Sequence, residues 1–89
     1  MAFESKGLSV LAYANGFTLW HYTTLDAAAE VDTAGYFDEA ADMVRVGDMI
    51  LANVDTDGTP GGGIFLVSAN AGGSVDLDDL TLFGGTDTD

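Results

Sequence analysis

His21 is the single histidine of the chain, standing between Trp20 and Tyr22, and there is no cysteine anywhere. An imidazole can act as a general base or activate a nucleophile, but it needs a thiol, or a serine placed as in a G-x-S-x-G turn, and neither is present. The alternative role is a ring hydrogen-bonded in the core or at a subunit contact, where its proton would make assembly pH-sensitive. Carboxylates are abundant, 15 Asp and Glu in all, so two of them could be set as acid and base. At that density chance pairs are expected and carry no information. Asp55-Thr56-Asp57-Gly58 begins like a calcium loop, two hard oxygen ligands followed by a tight turn. The match ends there: the twelfth position from Asp55 is Leu66 where an EF-hand needs Glu, and the flanks read as strands, so a plain Asp-Gly turn is the better reading. Asp76, Asp78 and Asp79 form a second acidic group that reads as solvated surface. Gly61-Gly62-Gly63 would need a helix N-terminus and a lysine to cradle phosphate; a strand-like run follows instead, which predicts a flexible hairpin tip. The chain is therefore expected to be no enzyme, with no catalytic residue, no metal and no cofactor.

Charge narrows the partners. Against the 15 acidic residues stand only Lys6 and Arg45, for a net charge of -13. Nucleic acid is excluded, because neutralising phosphates takes clustered cations, and anionic membrane surfaces are excluded for the same reason. The longest uncharged stretch, 7–25, is broken by Ser9, Asn15, Thr18 and His21 and is no membrane span. The N-terminal residues lack the basic start and apolar block of a secretory signal, which predicts synthesis in a cytoplasm. A chain of 89 residues without disulfides buries only ~60–65 per cent of its unfolded surface, so sharing a core between subunits would help it.

These side chains are carried by short strands. Leu8–Ala14 reads as an extended arm or edge strand, and Asn15-Gly16 supplies the positive-φ pair of a hairpin turn. Phe17–Thr24 is dense in aromatic and β-branched residues. Alternation puts Phe17, Leu19, His21 and Thr23 on one face and Thr18, Trp20, Tyr22 and Thr24 on the other. Large groups on both faces predict a strand covered twice, once by the chain's own core and once by a short helix or a neighbouring subunit. Thr24 or Asp26 can cap a helical turn through Ala27–Glu30, and Phe37, Ala40, Ala41 and Val44 recur at helical spacing in a second. Strands return at Asp48–Val54, Ile64–Ala69 and Ser74–Asp78, with Leu80–Phe83 either the end of that strand or a last short one, and Asp55–Gly63 a long exposed loop. The expectation is a single small, mainly β domain over 1–89, a β-barrel or β-sandwich with one or two short helices between the early and late strands. Residues 1–7 would be an N-terminal arm and 84–89 a flexible acidic tail.

The segments Phe17–Thr24, Gly35-Tyr36-Phe37 and Val46-Gly47-Asp48-Met49-Ile50, within residues 17–69, resemble a pattern of small virion proteins of tailed phages and gene transfer agents. The resemblance implies a homo-oligomeric structural protein of the virion, a capsid decoration or cement piece or a head-spike base. Its partners would be itself and a major capsid or other virion protein, and it would be assembled in the host bacterial cytoplasm. It carries no catalytic residue across. Trp20, His21, Tyr22, Tyr36 and Phe37 are the candidate contact residues, since partly exposed aromatics match the composition of interface hot spots. Two rivals remain. A tail-fibre or receptor- and glycan-binding tip would present Trp or Tyr in an exposed pocket. A small metal-dependent hydrolytic factor would depend on His21 or on the acidic loops.

Overall fold

A computed structural model, which describes residues 3–83, turns the apolar runs into six strands. They are β1 (Leu8–Ala14), β2 (Phe17–Thr23), β3 (Met49–Val54), β4 (Gly61–Ala71), β5 (Ser74–Leu77) and β6 (Thr81–Leu82). The Asn15-Gly16 turn joins β1 to β2 as an antiparallel hairpin, with Gly16 at a φ of 95°, where a Cβ would be strained. A bulge between Val10 and Ala12 kinks β1. β2 and β3 then pair in parallel, from Leu19 opposite Met49 to Thr23 opposite Asn53. Parallel neighbours cannot be joined by a tight turn, so the chain between them, 24–48, makes a crossover. β4 runs antiparallel to β3 on one side and to β5 and β6 on the other.

The result is mainly β, as expected, but it is one open mixed sheet in the order β1-β2-β3-β4-β5 with β6 beside β4, not closed into a barrel. The parallel step is the reason. Its crossover supplies the second layer from helical turns instead of a second run of strands, so one face of the sheet is backed by the chain and the edges stay apart. Within the crossover lie α1 (Ala28–Val31), the first expected helical turn shifted by one residue, and a 3-10 turn at Asp38–Ala40, shorter than the second helical turn expected. Neither Thr24 nor Asp26 caps α1. The Thr24 Oγ1 accepts the Asp26 N–H at 3.0 Å, Asp26 is taken by Tyr36, and the Glu30 carboxylate reaches back to the Ala27 N–H at 3.2 Å.

The covered face holds Trp20, Tyr22, Ile50, Ala52, Val54, Phe65 and Val67, packed against Val31, Phe37, Ala40 and Val44 of the crossover and Val75 and Leu77 of β5. The expected arm contributes as well: Phe3 is buried and its ring stacks on Tyr22 at a centroid distance of 5.5 Å. Burial of one aromatic body removes enough apolar surface to hold this end of the chain down. The Gly61–Gly63 run is not a hairpin tip but the start of β4, leaving 55–60 as the loop. Its reason lies in β6: a Cβ on Gly63 would meet the Thr81 carbonyl and the Leu80 side chain, so only glycine lets the last strand approach. The acidic tail expected over 84–89 lies outside the described residues.

Candidate docking face

The candidate contact residues separate once the strands are assembled. Trp20, Tyr22 and Phe37 are buried in the core, and Tyr36 is half-buried beside them. Phe3, Tyr22, Tyr36 and Phe37 form one aromatic cluster, with Tyr22 and Phe37 edge-on at 5.1 Å. These rings stabilise the chain itself and leave little surface to offer a partner. His21, one residue over, points to the opposite side of β2.

Two buried carboxylates fix this arrangement. Asp48 accepts the Thr18 N–H at 3.0 Å, the Arg45 N–H at 3.0 Å and the Trp20 indole N–H at 3.1 Å, which ties the end of the crossover to β2. Asp26 accepts the Tyr36 hydroxyl at 2.6 Å, and that hydroxyl lies 2.9 Å from the hydroxyl of Tyr22, which in turn accepts the Glu4 N–H at 3.1 Å. Burial, followed by the bonds to Asp26 and Tyr22, raises the Tyr36 pKa well above the ordinary phenol value, so it stays a donor. Both sites are hydrogen-bonded frameworks, and neither presents a nucleophile. A cleft of about 540 Å³ opens beside Asp26, lined by Lys6, Thr24 and Thr56 among others, with neither His nor Cys among its lining residues.

Chemistry at His21 is equally sparse. The Asn53 amide nitrogen lies 2.9 Å from His21 Nε2, so a neutral ring unprotonated at that atom accepts an amide hydrogen. Ser9 is its cross-strand neighbour on β1, yet among the described residues no side-chain hydrogen bond joins the two. Asp55 adopts a φ of 52° and its side chain accepts the Thr59 N–H at 3.2 Å, while the Gly58 N–H bonds the Asp55 carbonyl: a closed turn built from its own residues. Among the described residues no group of three or more His, Cys, Asp or Glu is placed to hold a metal ion.

What remains is the sheet face that the crossover does not cover. Register aligns Leu19, Met49 and Leu66 in one row across β2, β3 and β4, and His21, Leu51 and Ile64 in the next. Met49 and Leu66 are each 39% exposed, and the others are half-buried. Strands β1 to β4 contain no Asp, Glu, Lys or Arg, so this face carries no formal charge in a chain of -13. Among the described residues the carboxylates lie off these strands: at Glu4 before the first strand, on the crossover, in the 55–60 loop, and on the β5 and β6 side at Asp76, Asp78 and Asp79, where Asp76, between buried Val75 and Leu77, stands at the rim of the open face. Alternation in Phe17–Thr24 marked both faces as apolar, but which face the chain would cover itself depends on the side to which the crossover folds. Set against known proteins, the chain matches no family model, no curated protein and no solved structure.

Proposed function

We propose that this chain is a non-enzymatic structural protein of a virion, a capsid-decoration or cement piece or a head-spike base, that works by docking on protein surfaces. The observation that carries the docking is the uncharged apolar sheet face. Contiguous apolar surface left open on a small acidic protein favours protein contact, because burying it releases water while no carboxylate has to be desolvated. The polar groups point the same way: the buried carboxylates and hydroxyls are used up in holding β2, the crossover and the N-terminal turn together. The virion setting rests on the resemblance of Phe17–Thr24, Gly35–Phe37 and Val46–Ile50 to the phage and gene-transfer-agent pattern. With many copies on a symmetric particle, individually weak contacts add through avidity.

The test is quantitative mass spectrometry of density-purified particles from a producing culture. The chain is expected in fixed ratio to the major capsid protein through successive purification steps. Recovery only from the soluble lysate would remove the virion reading.

A further inference from the structure

We infer that the open face of β2, β3 and β4 is the seat of a second copy of this chain, packed face to face about a twofold axis to complete a two-sheet sandwich. The inference rests on the docking reading above and names its occupant. The crossover gives the sheet its second layer on one side, and the apolar rows on the other side have no layer of the chain's own over them. An isologous contact lets one self-complementary patch serve both copies, so Leu19, Met49, Leu51, Ile64 and Leu66 of each would interdigitate with the same rows of the other, as the inner faces of a sandwich do.

Charge selects the partner. Two chains of -13 repel wherever their carboxylates meet. Packed through the open faces, they place both acidic crossovers on the outside, more than ~20 Å apart with two sheets between them, well beyond a Debye length of ~8 Å at physiological salt. A cationic partner would be drawn to the crossover and the acidic loops instead, since the open face offers it no charge to meet. An uncharged apolar face is best complemented by another, and every copy brings one.

Area sets the strength. With the uncharged β1 continuing the face of β2, β3 and β4, four strands ~4.8 Å apart, rising ~3.3 Å per residue, give a face of roughly 400–500 Å² per copy before side-chain relief. Two such faces approach ~1,000 Å², the lower bound of a specific interface, so the dimer is weak and reversible. The carboxylates of the 55–60 loop and of Asp76, Asp78 and Asp79, at the ends and side of the sheet with Asp76 on the open side of β5, leave residual repulsion that salt screens.

Sedimentation equilibrium of the full chain from ~5 to ~500 µM, in ~20 and ~500 mM NaCl, tests this directly. A monomer–dimer equilibrium that shifts toward dimer by several-fold in the higher salt is expected. Met49→Lys and Leu66→Lys, both at exposed positions, should stay monomeric with native circular dichroism and melting. Val46→Lys, exposed on the crossover, makes the same charge change and should dimerise like the native chain. A native chain that is monomeric throughout, an association that weakens with salt, or face variants that still dimerise would each overturn the inference. A monomer that nevertheless purifies with particles would sink the second copy and leave the virion reading standing; a dimer absent from particles would do the reverse.

Discussion

Removing the acceptor at Asp48 measures what holds the crossover to β2. One carboxylate oxygen takes the Thr18 N–H and the other takes the Trp20 indole and Arg45 N–H groups, and the side chain is buried. A hydrogen bond to a charged group is worth ~1.5–3 kcal/mol, and a buried donor left without a partner costs ~1–3 kcal/mol. In Asp48→Asn the amide oxygen can keep Trp20 and Arg45 while its NH2 is forced against the Thr18 N–H, a loss of ~2 kcal/mol. Asp48→Ala abandons all three donors, and even with water entering the vacated space the loss is ~4 kcal/mol. A chain this size has a total of only ~4–13 kcal/mol, so the alanine variant sits near its unfolding threshold. Urea titration followed by the fluorescence of Trp20, the sole tryptophan and itself one of the three donors, reads the effect. Midpoints should fall in the order native, Asn, Ala with unchanged slope. An asparagine variant within ~0.5 kcal/mol of native, or equal losses for the two variants, would refute the reasoning.

Tyr36→Phe deprives the buried Asp26 carboxylate of its 2.6 Å donor, and should cost ~1.5–3 kcal/mol in thermal or urea unfolding. Gly63→Ala drives a methyl group into the Thr81 carbonyl and the Leu80 side chain, with an expected loss of ~1–3 kcal/mol. Gly62→Ala is its control: there the new methyl meets Ala52 and Asn53 oxygens at 3.6 Å, an ordinary contact, and should change the midpoint far less. The Asp32 carboxyl is raised above its usual 3.8, by burial first and then by Asp79 and Asp76. A raised carboxyl favours folding in its protonated form, so its contribution is full below the unfolded pKa and is lost as pH climbs through the folded one. Asp32→Asn should therefore melt higher than the native chain at neutral pH, with the gap closing as the pH is lowered through the carboxylate range. A gap that is constant with pH would exclude that origin.

Much of the strand content can be read in the residues. The β-branched and aromatic run at Phe17–Thr24, the Asn15-Gly16 turn, and the later apolar runs each carry a local cause, and each becomes a strand or turn close to its expected limits. Three features have causes that lie far along the chain. The parallel pairing of β2 with β3 is decided by the path of the crossover, and that path leaves the sheet open where short strands and glycine turns pointed to a barrel or sandwich. Gly61–Gly63 looked like loop composition because its reason, close approach of Leu80 and Thr81, belongs to β6. At the candidate site, two apolar faces were legible on β2, but only the folded crossover decides that Trp20 and Tyr22 go inside with Phe37 while Leu19 and His21 stay out. The structural role of Asp48 left a faint trace: an acidic residue opening an apolar run, directly after Gly47 at a φ of 94°.

The two borders of the sheet are built to opposite rules. On one side β1 presents seven residues without a charge, Tyr13 among them at 80% exposure. On the other, β5 and β6 are four and two residues long, broken between Leu77 and Thr81, and studded with Asp76, Asp78 and Asp79. Short, interrupted, carboxylate-bearing strands refuse further pairing. Any lateral annexation at β1 therefore ends after a single step, because whatever joins there finds the opposite border shut, and the molecule is guarded against unlimited ribbon growth while keeping its broad apolar side free.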